Sequence, residues 1–232
     1  MNFHPLKASR KTLGDDVYKA LKEQIVTLQL KPGEMIYESS LASAFGISRT
    51  PVREAINRLQ QEELIQIYPQ RGAIIAHLSE KKVREAQFVR ETLEIGAFKT
   101  IAGLWDREDE TYQKAEKDIL SIIVQQKEAV RQGNYIDFIQ LDASYHTRIL
   151  QLVNNQTLMQ VLQVMRAHLN RMRYLELREG RHEQESIKHH EMLLEHLKRN
   201  EVEKTEQLLI THLRYIVNDW QKIMDKYADF FE

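Results

Sequence analysis

The sequence predicts a mostly α protein with two domains, a small N-terminal unit of helices and a hairpin followed by an antiparallel all-α bundle of about six helices. Its 232 residues exceed the usual size of one domain, about 100–150 residues. Its 8 Gly and 4 Pro are too few for a fold rich in β-turns. Apolar residues recur at helical spacing along most of the chain, and we place the domains at 1–78 and 79–232.

The composition excludes several classes of site and location. Without Cys the chain has no disulfide, no thiolate zinc site and no cysteine nucleophile. No apolar run approaches the ~18 residues of a membrane span, and the N-terminus carries no apolar signal segment. We therefore expect a cytoplasmic protein without a membrane partner.

The charge divides unevenly along the chain, although the net charge of the whole is close to zero. Residues 1–78 contain ten Lys and Arg against eight Asp and Glu, and the remaining residues contain 23 against 26. The two parts therefore carry net charges of +2 and −3. Since neither part is strongly basic, any DNA contact must come from a few well-placed side chains.

Three helices are predicted in the first domain. The first follows Asp15, has apolar residues at helical spacing and stops at Lys31-Pro32-Gly33. A second fits Ser39 to Phe45 and stops at Gly46. Ser48 is expected to cap a third, with Pro51 in its first turn. Two short helices joined by residues 46–48 make a helix-turn-helix.

Two β-like runs follow these helices. Residues 64–68 and 73–76 flank the turn Pro69-Gln70-Arg71-Gly72, which predicts a hairpin wing. The first domain is therefore expected to be a winged helix-turn-helix.

The second helix of a helix-turn-helix enters the major groove with its N-terminal residues at the base edges. Here those residues are Arg49, Thr50 and Arg53, and an arginine can pair with guanine through two hydrogen bonds. Arg71 at the wing tip is placed to reach phosphate or the minor groove. The alternative is that these are solvated arginines on a protein-interaction domain.

The same region resembles the N-terminal domain of the GntR transcriptional regulators, over roughly residues 13–77. This resemblance implies that Arg49, Thr50, Arg53, Arg71 and Gly72 contact DNA. Two winged helices on a two-fold axis match a palindromic operator, so a homodimer is expected. The matching segments are Leu30-Lys31-Pro32-Gly33-Glu34, Leu41-Ala42, Gly46-Ile47-Ser48-Arg49-Thr50-Pro51-Val52-Arg53-Glu54-Ala55 and Arg71-Gly72.

Two positions depart from that family's pattern. Ser39 stands where many members have a DNA-contacting Arg, and this difference concerns one phosphate or base contact. Glu63 stands where a Gly usually precedes the wing, and we expect this to affect only the local backbone.

The second domain is expected to contain six amphipathic helices joined by short turns, typical of an antiparallel bundle. Breaks are marked by Gly133-Asn134, by Asn154-Asn155 with Asn155 as an N-cap, by Gly180 and by Asn200. The predicted helices cover residues 79–103, 107–132, 134–153, 156–178, 183–199 and 201–227.

Four potential metal ligands are expected to converge inside this bundle. Asp142 and His146 are four residues apart and share a helix face, whereas His190 and His212 lie on apolar stripes about ten residues either side of a turn at Asn200. Imidazoles with a carboxylate suit a divalent transition metal, Zn, Ni, Mn, Co or Fe. The alternative for each is an ordinary buried or surface residue. The other histidines considered, His168, His182, His189 and His196, fit that alternative better.

Arg90 interrupts an apolar stripe on the first helix of this domain. A buried guanidinium needs a partner. One possibility is an internal ion pair with Glu94, four residues later, and the other is an anionic ligand lying against the metal.

Residues 80–225 resemble the helical effector domain of the FadR-like branch of GntR regulators, in its shorter VanR-type form. The resemblance rests on Asp142 and His146 in an Asp-x-x-x-His pattern and on the spacing of His190 and His212. It implies a metal-binding FCD domain whose ligand is a small organic acid, with Arg90 as an effector contact.

We therefore expect a ligand-responsive transcriptional regulator, usually a repressor in this family, and not an enzyme. Two alternatives are a purely structural metal site and a metalloenzyme fused to a DNA-binding module. The second lacks a positioned general base or an activated nucleophile.

Overall fold

The computed structural model describes residues 10–68, 71–180, 182–215 and 220–232. They form two compact units. One comprises the described residues up to Val83 together with Tyr227–Glu232, and the other comprises Arg84–Lys226.

In the described part of the first unit, three α-helices precede the wing, α1 (Arg10–Val26), α2 (Glu38–Phe45) and α3 (Arg49–Gln61). The first begins earlier than the predicted start at Asp15. Gly46 ends α2 with φ of +68°, as predicted, since glycine adopts this left-handed conformation without a Cβ penalty. The apolar faces pack together, and the fully buried side chains of these helices include Val17, Leu21, Ile25, Leu41, Val52 and Leu59.

Ser48 precedes α3 in extended conformation, but its side chain makes no capping hydrogen bond. Ser48 therefore occupies the N-cap position as predicted, but the predicted hydrogen bond to its side chain is absent. Pro51 lies in the first turn as predicted, where its missing N–H would have no helical partner.

A three-stranded antiparallel sheet completes this unit. Strand β3 (Gly72–Ile75) lies between β1 (Met35–Ile36) and β2 (Ile65–Tyr68). The predicted wing is the β2 and β3 hairpin, in which Tyr68 pairs with Gly72 and Ile65 with Ile75. Pro69 and Gln70 of the predicted turn lie outside the described residues.

The second unit is helical, as predicted. The structure places a short 3-10 turn at Gln151–Val153, where the prediction continued an α-helix. The last predicted helix includes 216–219, which lie outside the described residues. The helices are α4 (Glu80–Leu104, entering from the first unit), α5 (Glu110–Arg131), α6 (Tyr135–Leu150), α7 (Gln156–Gly180), α8 (Glu183–Lys198), α9 (Val202–Tyr215) and α10 (Trp220–Lys226).

The bundle core lies between these helices. Helix α5 packs against α6 and α8, α8 packs against α9, and α6 packs against α7.

Asn134 and Asn155 accept backbone hydrogen bonds at the starts of α6 and α7, which explains the breaks there. Among the described residues, no helix is both long enough and apolar enough to cross a membrane.

Candidate metal centre and DNA-binding surface

Four side chains that can bind a metal meet inside the bundle. Asp142 and His146 lie one turn apart on α6, His190 comes from α8 and His212 from α9. One ligand atom from each lies within 4.8 Å of the other three, and all four residues are buried. The structure thus brings together the four residues that the sequence singled out.

The spacing of the ligand atoms suits a single ion. The Nε2 atoms of His146 and His212 are 3.1 Å apart, and His190 Nε2 is 3.5 Å from Asp142 Oδ1. Two nitrogens bound to one ion at about 2.1 Å are roughly 3.0–3.4 Å apart, in octahedral or tetrahedral geometry respectively. Both pairs lie close to these values.

Neighbouring side chains orient two of the imidazoles. His146 Nδ1 lies 2.7 Å from Glu94 Oε2 on α4, and His190 Nδ1 lies 3.0 Å from Gln126 Oε1 on α5. The His190 contact has the geometry of a hydrogen bond, whereas His146 and Glu94 are in ion-pair contact. Each contact turns Nδ1 toward an oxygen and leaves Nε2 directed at the other ligands. Tyr145 stacks on the His190 ring with centroids 3.9 Å apart, which fixes that ring further.

Asp142 is held so that one oxygen faces the cluster. Arg173 on α7 donates through Nη1 to Asp142 Oδ2 at 2.5 Å. In the part of the chain that the structure describes, Oδ1 and His190 Nε2 are buried without a hydrogen-bond partner. Buried polar atoms rarely lack partners, and a cation bound between these two would satisfy both. The residues present therefore fit a metal ion.

The electrostatics favour the metal-binding protonation states. Burial lowers the pKa of His190 to about 3 and that of His212 well below its usual value, which keeps both rings neutral. Burial opposes ionisation of Asp142, but Arg173 nearby holds the pKa of that carboxyl well below its usual range. A metal binds neutral imidazole and ionised carboxylate, so His190, His212 and Asp142 are already in the protonation states that a metal needs at neutral pH.

Arg90 is buried and donates through Nε to Glu94 Oε1 at 2.9 Å. This is the internal pair that the sequence offered as one of two possibilities. Glu94 contacts His146 through its other oxygen, so Arg90 is linked to a candidate metal ligand through one carboxylate. Burial would raise the pKa of Glu94, but Arg90 and His146 lower it well below its ordinary value.

Sequence reasoning missed Glu94, Gln126 and Arg173 as partners of the ligands. Gln126 gave a usable signal, because it shares the buried stripe of α5 with Ile119 and Ile123. Arg173 gave none, since it lies among several arginines on α7.

Two other histidines differ in their surroundings. His196 forms an ion pair with Glu201 away from the cluster. His189 is buried, and its ring meets the His212 ring edge-on at 5.7 Å between centroids, so it packs beside the cluster without joining the ligand group.

Three of the five predicted DNA-contacting residues, Arg49, Arg53 and Gly72, line one concavity of the first unit. Arg49, Thr50 and Arg53 are exposed at the start of α3. Arg49 and Arg53 line a concavity between α2, α3 and the sheet, together with Ser39, Tyr68 and Gly72. Arg53 is paired with Glu38 at the start of α2, a contact that the sequence did not predict.

Two residues, one in the wing and one just before it, have positive φ angles. Gly72 has φ of +105°, and a Cβ there would approach the Ile36 carbonyl oxygen to 3.0 Å. Glu63, which stands in place of the usual glycine, has φ of +57° and so adopts the conformation that favours glycine. Arg71 is exposed in the turn, and its backbone N–H donates to Tyr68 at 3.0 Å.

Two family models match the chain in succession. Residues 13–75 match the model described as bacterial regulatory proteins of the gntR family, and residues 85–215 match the FCD domain.

Known proteins resemble the chain over nearly its whole length. A regulator from an unstable DNA locus of Streptomyces ambofaciens is 28% identical over 93% of this chain and 88% of its own length. The transcriptional repressor RspR of Escherichia coli is 26% identical over 94% of this chain and 93% of its own. The E. coli McbR/YncC structure superposes with a TM-score of 0.76 at 20% identity, covering 93% of this chain and 99% of the other. The chain therefore belongs to the GntR family of bacterial regulators, in its FCD-containing FadR-like branch, and is a DNA-binding transcriptional regulator rather than an enzyme.

Proposed function

We propose that this protein is a cytoplasmic, homodimeric repressor whose affinity for a palindromic operator is changed by a small carboxylate bound at a metal in the helical domain. The winged helix reads the operator through Arg49, Thr50 and Arg53, with Arg71 and Gly72 in the wing. Asp142, His146, His190 and His212 hold a divalent transition metal. The observation that carries the proposal is the buried meeting of these four ligand atoms within 4.8 Å.

The metal supplies a Lewis-acidic centre with positions left over for a ligand. Three imidazoles and one carboxylate oxygen provide four ligands, whereas Ni, Mn, Fe and Co commonly take six and Zn sometimes five. Exchangeable positions on the ion would accept a carboxylate oxygen of an organic acid.

Buried arginines around the cluster favour an anionic ligand. Arg166 on α7 is within electrostatic reach of Arg90, Arg173, Glu94 and Asp142. Arg173 is also close to Glu176, so these three guanidinium groups face three carboxylates, and a divalent ion added to this balanced set would leave an excess of positive charge. Arg90 uses one of its five N–H donors for Glu94, and others can bind a second carboxylate of the ligand.

A purely structural metal site is the alternative that the same ligand set permits. It predicts a stable bundle with a closed coordination shell and no exchangeable position. A divalent ion among these balanced charges favours the effector site, because an anionic ligand would compensate the positive charge that the ion adds.

The test is to titrate di- and tricarboxylic acids into metal-loaded and chelator-treated protein, following the heat of binding and the release of an operator selected from random duplexes. We expect an acid that binds only with metal present and changes operator affinity by about 5- to 150-fold. Arg90→Ala should lose this response. Arg148→Ala serves as the matched control, because Arg148 pairs with Asp118 in a partly exposed ion pair.

Equal acid binding with and without metal would contradict the proposed ligand site, as would an intact response in the Arg90 variant. Metal binding with no acid response across the whole series would favour the structural alternative.

A further inference from the structure

The start of the recognition helix contains an ion pair that the proposed function has not used. Arg53 donates through Nε to Glu38 Oε1 at 3.0 Å and to Oε2 at 3.2 Å, and through Nη2 to Oε2 at 2.8 Å. Both oxygens of the Glu38 carboxylate therefore accept hydrogen bonds from one edge of the guanidinium. The Arg53 side chain remains 62% exposed, whereas that of Glu38 is 33% exposed.

We propose that Glu38 is a positioning residue for base recognition, which holds Arg53 so that its second edge presents to a guanine. The inference rests on the proposed role of Arg53 in DNA binding. A guanidinium has five N–H donors in a rigid plane. Glu38 takes the edge formed by Nε and Nη2, which leaves the edge formed by Nη1 and Nη2 with the paired donors that match guanine O6 and N7.

The ion pair with Glu38 preorganises the Arg53 side chain in the DNA-free protein. A free arginine side chain samples many rotamers, and the freedom lost on binding a base opposes binding. A side chain already held by two oxygens loses less of that freedom. Because Glu38 begins α2 and Arg53 lies in α3, the contact also connects the two helices of the helix-turn-helix.

The charge of Glu38 has a second consequence. The hydrogen bonds from Arg53 lower the pKa of the Glu38 carboxyl, with a smaller contribution from Arg49, so this group is ionised at neutral pH. A negative charge on the surface that meets DNA repels phosphate at every sequence. Glu38 therefore weakens binding to all DNA while improving discrimination at one base pair, whereas a pair that only stabilised the fold would leave discrimination unchanged.

The experiment compares Glu38→Gln, Arg53→Ala and the double variant in the full-length protein at fixed salt. Affinities are measured for the selected operator, for operators with each base pair replaced in turn, and for an unrelated duplex. Asp15→Asn is the matched control, because it removes the same charge from another exposed ion pair of the same unit, with Arg58. Thermal unfolding checks that each variant is folded.

We expect Arg53→Ala to lose about tenfold or more of the discrimination at one G·C pair. Glu38→Gln should lose most of the discrimination at that same pair and bind the unrelated duplex more tightly than the wild type does. The double variant should lose no more discrimination at that base pair than Arg53→Ala alone, because both substitutions act on the same contact between Arg53 and the base. Asp15→Asn should keep the discrimination.

Full discrimination in Glu38→Gln at the pair that Arg53→Ala affects would overturn the inference and leave the DNA role of Arg53 intact. If Arg53→Ala discriminates between base pairs as well as the wild type does at every position, both the inference and the proposed role of Arg53 are wrong.

Discussion

Gly72 shows how one residue shapes the DNA-binding wing. Its φ of +105° lies outside the regions open to residues with a Cβ, and that Cβ would meet the Ile36 carbonyl oxygen and the Tyr37 ring at 3.0 Å. The backbone of β1 cannot move aside without breaking its pairing with β3. Gly72 is therefore required by the sheet whether or not it also contacts DNA.

We expect Gly72→Ala to lower the free energy of unfolding of the first unit by about 1–3 kcal/mol, because the new Cβ strains the backbone and presses on β1. Chemical denaturation checks this. Gly96→Ala is the control, since Gly96 lies inside α4 with nothing within 4 Å of its added Cβ. Alanine there should raise stability by about 0.5–1 kcal/mol. Equal, small effects of the two changes would contradict the role of Gly72.

Individual residues of the metal cluster were predictable where helical periodicity determines position. Asp142 and His146 face one way because they are four residues apart, and the helix pair α8 and α9 brings His190 and His212 to one level. Glu94 and Arg173 were not predictable as partners. Their contacts depend on how α4 and α7 pack against α6, which the spacing within each helix does not encode.

At the scale of elements, α8 and α9 each bury a neutral histidine in the bundle core. Burial lowers the pKa of both, to about 3 for His190. In the unfolded chain the same rings have a pKa near 6.5. Below that pH the unfolded state therefore binds more protons than the folded state does. Folding therefore becomes less favourable as the pH falls.

We expect the free energy of unfolding of metal-free protein to fall between pH 7 and pH 5, by about 2 kcal/mol for each of these two histidines at most. Denaturant titrations of chelator-treated protein at several pH values measure this. Loaded protein should be more stable by about 2.7 kcal/mol when the free metal is about 100 times its dissociation constant. A metal-free protein of constant stability over this range would show that these rings are not kept neutral by burial.

The helices and the two strands of the wing were predicted from their patterns, whereas pairings of two or three residues were not. Strand β1 has only two residues and gains its identity from pairing Met35 with Ile74 and Ile36 with Ala73. Near the C-terminus, Leu78 donates to the Phe230 carbonyl at 2.8 Å and pairs with Phe231. Both features join segments far apart in sequence, and two or three residues carry too little periodicity to reveal such pairing.

At the scale of the whole molecule, we propose that the repressor binds a palindromic operator as a dimer. We expect sedimentation to give twice the mass of the 27.4 kDa chain, and one dimer to bind one operator with two half-sites about 10 base pairs apart or a multiple of that. Moving the half-sites apart by five base pairs should abolish tight binding, because it turns them to opposite faces of the duplex. A monomer that binds a single half-site equally tightly would contradict the dimer.

The metal content of purified protein tests the central claim most directly. Elemental analysis of chains expressed and purified without chelator should give about one divalent transition metal ion per wild-type chain. His190→Ala and His212→Ala should lose most of it, because each removes a ligand from the buried group. His196→Ala should keep it, since His196 pairs with Glu201 elsewhere. Equal metal content in all four proteins, or no metal in the wild type after incubation with each candidate ion, would contradict the account.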